Sequence, residues 1–395
     1  MKNIKDQENL SQKIVLLRLD LNVPLKNGFI TDQTRIDKIV PILNFLIEKK
    51  SKIIIISHVG RPKGEFDKNL SLKPICENLE KKLMKKIQLL DDNIFKLKKK
   101  DLFKNPQEQI VFLENIRFYK EEEKNDTFFA KHLANLADLY VNDAFSCSHR
   151  SHASISKITE FLPSYAGMQL ETEINALKKV TTEIKKPITC IIGGSKILTK
   201  INIIKNLIPK FDNIIIVGGM ANSVINYKGY NIGKSIKELN CETAVKEIFE
   251  TSKNHSCEIT FPEDVLVGKN TNDSSKIKKL HDIKNNELIL DIGPKTVKKI
   301  KEIIKISKTV LWNGPAGYFE NSNFAGGSYE IAKAIVKKNK ENSIYSVIGG
   351  GDTIALINQL NVIQDFNFVS TAGGAFLEYL EGKELPGIKA LNQNV

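Results

Sequence analysis

The sequence predicts an α/β protein of two doubly wound parallel-sheet lobes joined by a helix. Three observations carry that expectation. Short β-branched runs alternate with longer segments of helical apolar spacing along most of the chain. The runs are apolar throughout instead of alternating with polar residues, as befits strands covered on both faces. The 395 residues also exceed what one ordinary core organises, so length alone points to two or three domains.

In the first half, strands are expected at 13–19, 52–57, 86–90, 109–113 and 139–141. After the first of them, Ile36, Ile39, Val40, Leu43, Leu46 and Ile47 recur at helical spacing. Thr31-Asp32 opens that segment, and Pro41 should kink it. Pro163 ends the first half. Residues 171–185 read as a helix with Ile174, Leu177, Val180 and Ile184 on one stripe, a semi-rigid arm suited to hinge motion. Pro187 then starts the second series of strands, expected at 187–192, 213–217, 258–260, 287–291, 309–312, 343–348 and 366–369. Both halves follow one strand–loop–helix rhythm, that of Rossmann-like lobes.

Composition narrows the function classes. No apolar run approaches the ~20 residues of a membrane span, and the N-terminus has no apolar stretch of the secretory kind. Five cysteines (76, 147, 190, 241 and 257) are scattered without zinc-like spacing, which fits reduced thiols in a cytoplasm. The net charge of +13 raises nucleic acid as a partner. The lysines, however, spread along segments such as 81–100 without interleaved stacking aromatics, so a solvated surface that draws in anionic metabolites is the better account. Of 59 basic side chains only five are arginine: Arg18, Arg35, Arg61, Arg117 and Arg150, all in the first 150 residues. Arginine grips carboxylate or phosphate through a planar fork that lysine lacks. The first half is therefore where a small, highly charged anion is expected, a buried ion pair being the alternative for any single arginine.

The charged loops follow predicted strand ends. They read Arg18-Leu19-Asp20-Leu21-Asn22-Val23-Pro24, His58-Val59-Gly60-Arg61-Pro62, Glu114-Asn115-Ile116-Arg117-Phe118, and Asn142-Asp143-Ala144-Phe145 followed by His149-Arg150-Ser151-His152. In open parallel sheets ligands bind beyond the carboxyl ends of strands, so these loops converge on one crevice. In the second half glycine pairs take that place: Gly193-Gly194-Ser195-Lys196, Gly218-Gly219-Met220, Trp312-Asn313-Gly314-Pro315, Gly349-Gly350-Gly351-Asp352-Thr353 and Ala372-Gly373-Gly374. Glycine lets backbone N–H groups approach phosphate closely at a helix N-terminus. Neither a P-loop nor a Gly-x-Gly-x-x-Gly fingerprint is present. One such pair reads as tight packing; five in one lobe, one with a metal-competent Asp-Thr, read as a nucleotide site.

These motifs, in this order from residue 13 to 389, resemble the phosphoglycerate kinase family. The resemblance implies reversible phosphoryl transfer between 1,3-bisphosphoglycerate and ADP, giving 3-phosphoglycerate and ATP, across a cleft between the lobes. It implies that Asp20 and Asn22 read the hydroxyl and carboxyl end of 3-phosphoglycerate, that His58, Arg61, Arg117 and Arg150 hold its phosphate, and that Arg35 points toward the group in transit. Lys196 and Lys200 would lie along the nucleotide phosphates and the transferring group, with Gly373 and Gly374 as backbone donors to it. Gly350, Gly351 and Thr353 would surround the phosphates, Asp352 would be the Mg2+-associated carboxylate, Glu320 would bond the ribose, and Gly218, Gly219, Asn313 and Pro315 would line the adenosine pocket. Arg18 is expected in an internal ion pair, and His149 and His152 either bind or only shape the loop that presents Arg150. The implied domains are 1–168 for phosphoglycerate, with the segment from about 378 to 395 packed back on it, and 169–377 for nucleotide, in a cytoplasmic monomer without nucleic-acid or membrane partners. Three departures stand out: Thr199 where many members have Asp, Ala372 for the first glycine of Gly-Gly-Gly-Ala, and Ser146 for a glycine. A binding protein that keeps both pockets without turnover, and a basic nucleic-acid-binding protein, are the alternatives.

Overall fold

In chain order the first part of the protein forms β1 (Ile14–Leu19), a short hairpin of β2 (Leu25–Lys26) and β3 (Phe29–Ile30), α1 (Thr34–Glu48), β4 (Lys52–Ile56), α2 (Lys73–Leu83), β5 (Gln88–Leu90), β6 (Ile110–Leu113), α3 (Lys120–Glu123), α4 (Thr127–Ala134), β7 (Leu139–Asp143), β8 (Ser164–Ala166) and α5 (Met168–Thr181). The computed structural model describes residues 1–394 apart from Asn27, Lys104 and Pro106; Val395, the end of the expected C-terminal segment, lies outside the described residues. Six of the strands pair in parallel in the order β5-β6-β4-β1-β7-β8. Val15, Leu17 and Leu19 of β1 join Ile53 and Ile55 of β4 in a core shared with Ile36, Ile39 and Leu43 of α1 and Ile75 and Leu79 of α2. The alternate residues Leu16, Ile54, Val111 and Tyr140 are just as buried on the opposite face. That double burial is why these strands read as unbroken apolar runs.

The second series comprises β9 (Ile188–Ile192), α6 (Ile201–Leu207), β10 (Asn213–Ile216), α7 (Gly219–Tyr227), α8 (Glu242–Asn254), β11 (Glu258–Thr260), β12 (Asp264–Gly268), β13 (Lys276–Lys279), β14 (Leu288–Ile292), α9 (Pro294–Ile306), β15 (Thr309–Asn313), α10 (Gly326–Lys340), β16 (Tyr345–Gly349), α11 (Gly351–Gln359), β17 (Phe368–Ser370) and α12 (Gly374–Leu380), before the last helix α13 (Pro386–Gln393). A second all-parallel sheet runs β11-β10-β9-β15-β16-β17. Each sheet grows from its first strand to one side and then resumes on the other. The reversal falls between β1 and β7 in the first sheet and between β9 and β15 in the second, where such sheets leave a crevice.

Two expectations need correction. The run at 287–291 is not a strand of the parallel sheet. It becomes β14 in a separate antiparallel sheet, β13-β12-β14, because an apolar run does not reveal the direction of its partner. The helix expected at 171–185 instead spans Met168–Thr181. Its start is set from a distance: Asp143 Oδ1, at the end of β7, accepts the backbone N–H groups of Gln169 (2.7 Å) and Leu170 (2.9 Å).

The chain divides into two compact units, Met1–Ile174 with the stretch from Glu384, and Asn175–Lys383. The C-terminal stretch joins the first unit through Gly387 N–H, which donates to Ser148 O (2.9 Å), and through Asn394, whose Oδ1 accepts from Ser164 N–H (3.1 Å) and whose Nδ2 donates to Leu162 O (3.2 Å).

Candidate functional site

Beyond the carboxyl end of the first sheet, several predicted residues are tied together through one glycine. Asn22 Oδ1 accepts from Gly60 N–H (2.9 Å), and Arg117 Nη1 donates to Gly60 O (3.2 Å). Arg117 is 9% exposed, 3.6 Å from Glu123 through Nε, and its burial lowers its pKa. Asp20, after β1, accepts from Arg35 Nη1 (2.8 Å) on Oδ1 and from the Ser146 hydroxyl on Oδ2. Parallel pairing of Leu19 with Asp143 makes the loops after β1 and β7 neighbours, which is what lets Ser146 reach Asp20. Arg61 and Arg150 are exposed, and Arg150 Nε donates to His149 Nε2 (3.0 Å).

Among the described residues Arg18 forms no direct ion pair, which corrects the expectation. It is fully buried, and Ser154 stands between it and Glu122. Arg18 Nε donates to Ser154 Oγ (3.0 Å), and that hydroxyl donates to Glu122 Oε1 (2.6 Å). Burial pushes the Glu122 carboxyl up and Arg18 draws it back down. The other branch of the guanidinium, Nη2, lies 3.0 Å from His58 Nδ1. Guanidinium has donors only, so Nδ1 must accept and the His58 proton sits on Nε2. Burial, with Arg18, Arg117 and Arg35 nearby, holds the His58 pKa well below its ordinary value. His58 is thus a neutral N–H donor of fixed tautomer, suited to an anion. His152 lies 3.8 Å from Glu122 but is no ion-pair partner, since burial and the surrounding arginines bring its pKa to about 3.

The second unit assembles its site from backbone. Gly193 and Gly314, after β9 and β15, approach so closely that a Cβ on Gly314 would lie 2.3 Å from Gly193 O. Lys200 Nζ donates there to Gly193 O (2.5 Å) and to Asn313 Oδ1 (2.5 Å), and Asn313 Nδ2 donates to Gly349 O (2.8 Å). Burial lowers the Lys200 pKa to about 8, so its ammonium stays charged at neutral pH. Thr353 Oγ1 accepts from Gly314 N–H (2.7 Å), fixing the start of α11 against the loop after β15. Lys196 is exposed, and Thr199 Oγ1 donates to Lys196 O (2.8 Å).

Beside these groups lies a cavity of about 360 Å³. Of the predicted residues Gly218, Gly219, Pro315, Glu320 and Asp352 line it; Asn313, Lys196, Lys200, Gly350, Gly351 and Thr353 do not, nor do Gly373 and Gly374 at the start of α12. Sequence reasoning missed a further wall, where Ile236, Pro262, Leu288, Ile289, Leu290 and Ile292 supply apolar surface. That wall belongs in part to the antiparallel sheet, which carries no glycine pair to announce it. Equally missed were Glu122 and Ser154, since a glutamate within Lys120–Glu123 reads as a solvated helical charge. A mostly apolar cavity rimmed by glycine amides and a few polar groups suits a nucleoside with phosphates at its edge.

Known proteins resemble this chain over essentially its whole length. The family model described as phosphoglycerate kinase matches residues 4–383. A phosphoglycerate kinase of Wolbachia pipientis wMel is 46% identical over 397 residues, covering 100% of each chain. Among solved structures, phosphoglycerate kinase from Coxiella burnetii matches with a TM-score of 0.91 at 37% identity, covering 99% of this chain and 98% of that one. The Pyrococcus horikoshii OT3 phosphoglycerate kinase matches at 0.84 with 29% identity, covering 100% and 99%. Agreement of this extent, in sequence and fold alike, makes the chain a member of the phosphoglycerate kinase family, kinases that exchange a phosphoryl group between 1,3-bisphosphoglycerate and ADP.

Proposed function

We propose that this chain carries out the family reaction with the first unit holding phosphoglycerate and the second holding nucleotide. The observation that supports this best is the pair of strand-end rims at the two sheet reversals, one built of arginine and neutral histidine, the other of glycine amides and lysine. Asp20 and Asn22 bind the hydroxyl and carboxyl end of 3-phosphoglycerate; His58, Arg61, Arg117 and Arg150 bind its phosphate. Gly218, Gly219, Asn313, Pro315 and Glu320 hold adenosine and ribose, while Lys196, Lys200, Gly350, Gly351 and Thr353 hold phosphates. Arg35, Lys200 and the amides of Gly373 and Gly374 stabilise the group in transit.

The acceptor is a carboxylate, ionised at neutral pH, so no general base is needed. Catalysis then consists of alignment and of neutralising charge on the moving phosphoryl group. Asp352 is an exposed carboxylate in the first turn of α11. One carboxylate together with nucleotide phosphates is the donor set Mg2+ prefers, so Asp352 would hold that ion, which supplies further charge neutralisation. Closure of the units about α5 excludes water from the acyl phosphate. The protein works in the cytoplasm, a reading supported by five free, buried cysteines, and as a monomer.

A coupled assay with ATP and 3-phosphoglycerate tests the whole reading: ADP release that requires phosphoglycerate is expected. Binding of both ligands without turnover would return the chain to the class of binding proteins. Small-angle scattering tests closure separately, through compaction when both ligands are saturating.

A further inference from the structure

The Asp20 carboxylate has an unusual hydrogen-bond inventory for a substrate-reading group. A carboxylate offers about four lone-pair positions. On Oδ1 two are taken, by Arg35 Nη1 (2.8 Å) and by Asn22 N–H (3.3 Å). On Oδ2 one is taken by the Ser146 hydroxyl, which has a single proton to give. Among the described residues, one acceptor position on Oδ2 remains. The donors come from three elements: α1 carries Arg35, the loop after β1 carries Asn22, and the short helical turn Phe145–Cys147 after β7 carries Ser146. The carboxylate is thereby fixed against rotation about its last bond, with its open lone pair in a set direction. A glycine at this position would have no donor for Oδ2.

From this geometry we infer that Ser146 is a positioning and specificity residue: it orients Asp20 so that the carboxylate accepts one hydroxyl, that on C2 of 3-phosphoglycerate. The inference rests on the proposed role of Asp20. Ser146 acts on binding and not on the transfer step, because its hydroxyl is committed to Asp20. Without it, Asp20 keeps its partners on Oδ1 but its other oxygen swings, and the hydroxyl of the substrate loses a fixed partner. A hydrogen bond to a charged group separates the two cases, which corresponds to about tenfold in affinity.

The test compares calorimetric binding of 3-phosphoglycerate with that of 3-phosphonooxypropanoate, which has hydrogen in place of the C2 hydroxyl. In Ser146→Ala and Ser146→Gly, affinity for 3-phosphoglycerate should fall about tenfold while affinity for the deoxy compound holds, so discrimination collapses. Ser146→Thr keeps the hydroxyl and should restore discrimination; a merely structural role would weaken both ligands equally. Asp20→Ala separates the two possible failures. If Asp20→Ala discriminates as well as the parent protein, the role of Asp20 falls and the Ser146 inference with it. If Asp20→Ala loses discrimination while Ser146→Ala and Ser146→Gly keep it, Asp20 stands and the Ser146 inference alone is overturned.

Discussion

On the proposed reading the two units solve one problem, holding phosphate past the end of a parallel sheet, with opposite materials. The first uses side chains. Arg18, itself buried, fixes the tautomer of His58, and Asn22 and Arg117 pin Gly60 from both sides. The second uses backbone, brought close by glycines at the reversal of β9 and β15. The contrast explains why arginine stops after residue 150. A fork of donors needs partners that hold it still, and those partners are polar and buried. An amide rim needs only the absence of a side chain. The first unit should therefore fail when a polar group is removed, the second when a methyl group is added.

The largest effect is expected where the fork itself acts. Arg35, paired with Asp20, is the arginine proposed to meet the phosphoryl group, and loss of an arginine in that role costs ~10³–10⁵ in rate. Arg35→Lys retains the charge and loses the fork. Turnover in the coupled assay should collapse for Arg35→Lys as it does for Arg35→Ala, with nucleotide binding by calorimetry little changed. A lysine variant with near-parental turnover would reduce the contrast between the units to one of charge alone.

In the second unit the corresponding experiment adds one carbon. Gly350, before α11, has φ +97°, and a Cβ there would lie 2.8 Å from Asn313 Nδ2. Asn313 in turn accepts from Lys200. Gly350→Ala should cost about 2 kcal/mol of stability through backbone strain, and more in nucleotide affinity as Asn313 and Lys200 shift. Emission from Trp312, the one tryptophan and fully buried in β15, follows the unfolding of this unit. Parental nucleotide affinity in a destabilised variant would show that the amide rim tolerates displacement and would break the comparison.

Much of this was legible in the chain and some was not, for physical reasons. Buried parallel strands announce themselves because every residue is apolar, and loops after them carry concentrated charge or glycine. The sequence therefore places Asp20, Asn22, His58 and the glycine pairs at strand ends, where the fold has them. Ser154 and Glu122 act through contacts spanning 32 residues in sequence, and Arg18 reaches Ser154 across 136. No local pattern encodes such partners. The same holds for Asp143, which starts α5 from 26 residues away, and for the antiparallel wall of the cavity in the second unit.

The smallest effect tests what the units share. Each contains a buried aspartate at a helix start whose carboxyl is raised by burial: Asp143 accepts from Gln169 and Leu170, and Asp291 Oδ2 accepts from Gly327 N–H (2.7 Å) at the start of α10. Burial raises both carboxyls from 3.8 to about 7, and Asp143 Oδ2 has no hydrogen-bond partner among the described residues. Because the folded value lies above the unfolded one, the native state keeps a proton that the unfolded chain releases. This contribution is full below about pH 4 and is lost as pH rises through about 7. Buried neutral His58 and His152 tilt the first unit the other way, since their lowered values make stability rise as pH climbs through the ordinary 6.5. The difference between variant and parent isolates the aspartate. Relative to the parent, Asp143→Asn should gain about 2 kcal/mol between pH 5.5 and pH 8 in urea unfolding followed by amide exchange in the first unit. Asp291→Asn should do the same for the second unit, followed by Trp312 emission. Parallel stability curves for variant and parent would mean that both carboxyls ionise freely in place, and that the helix caps are carboxylates throughout this range.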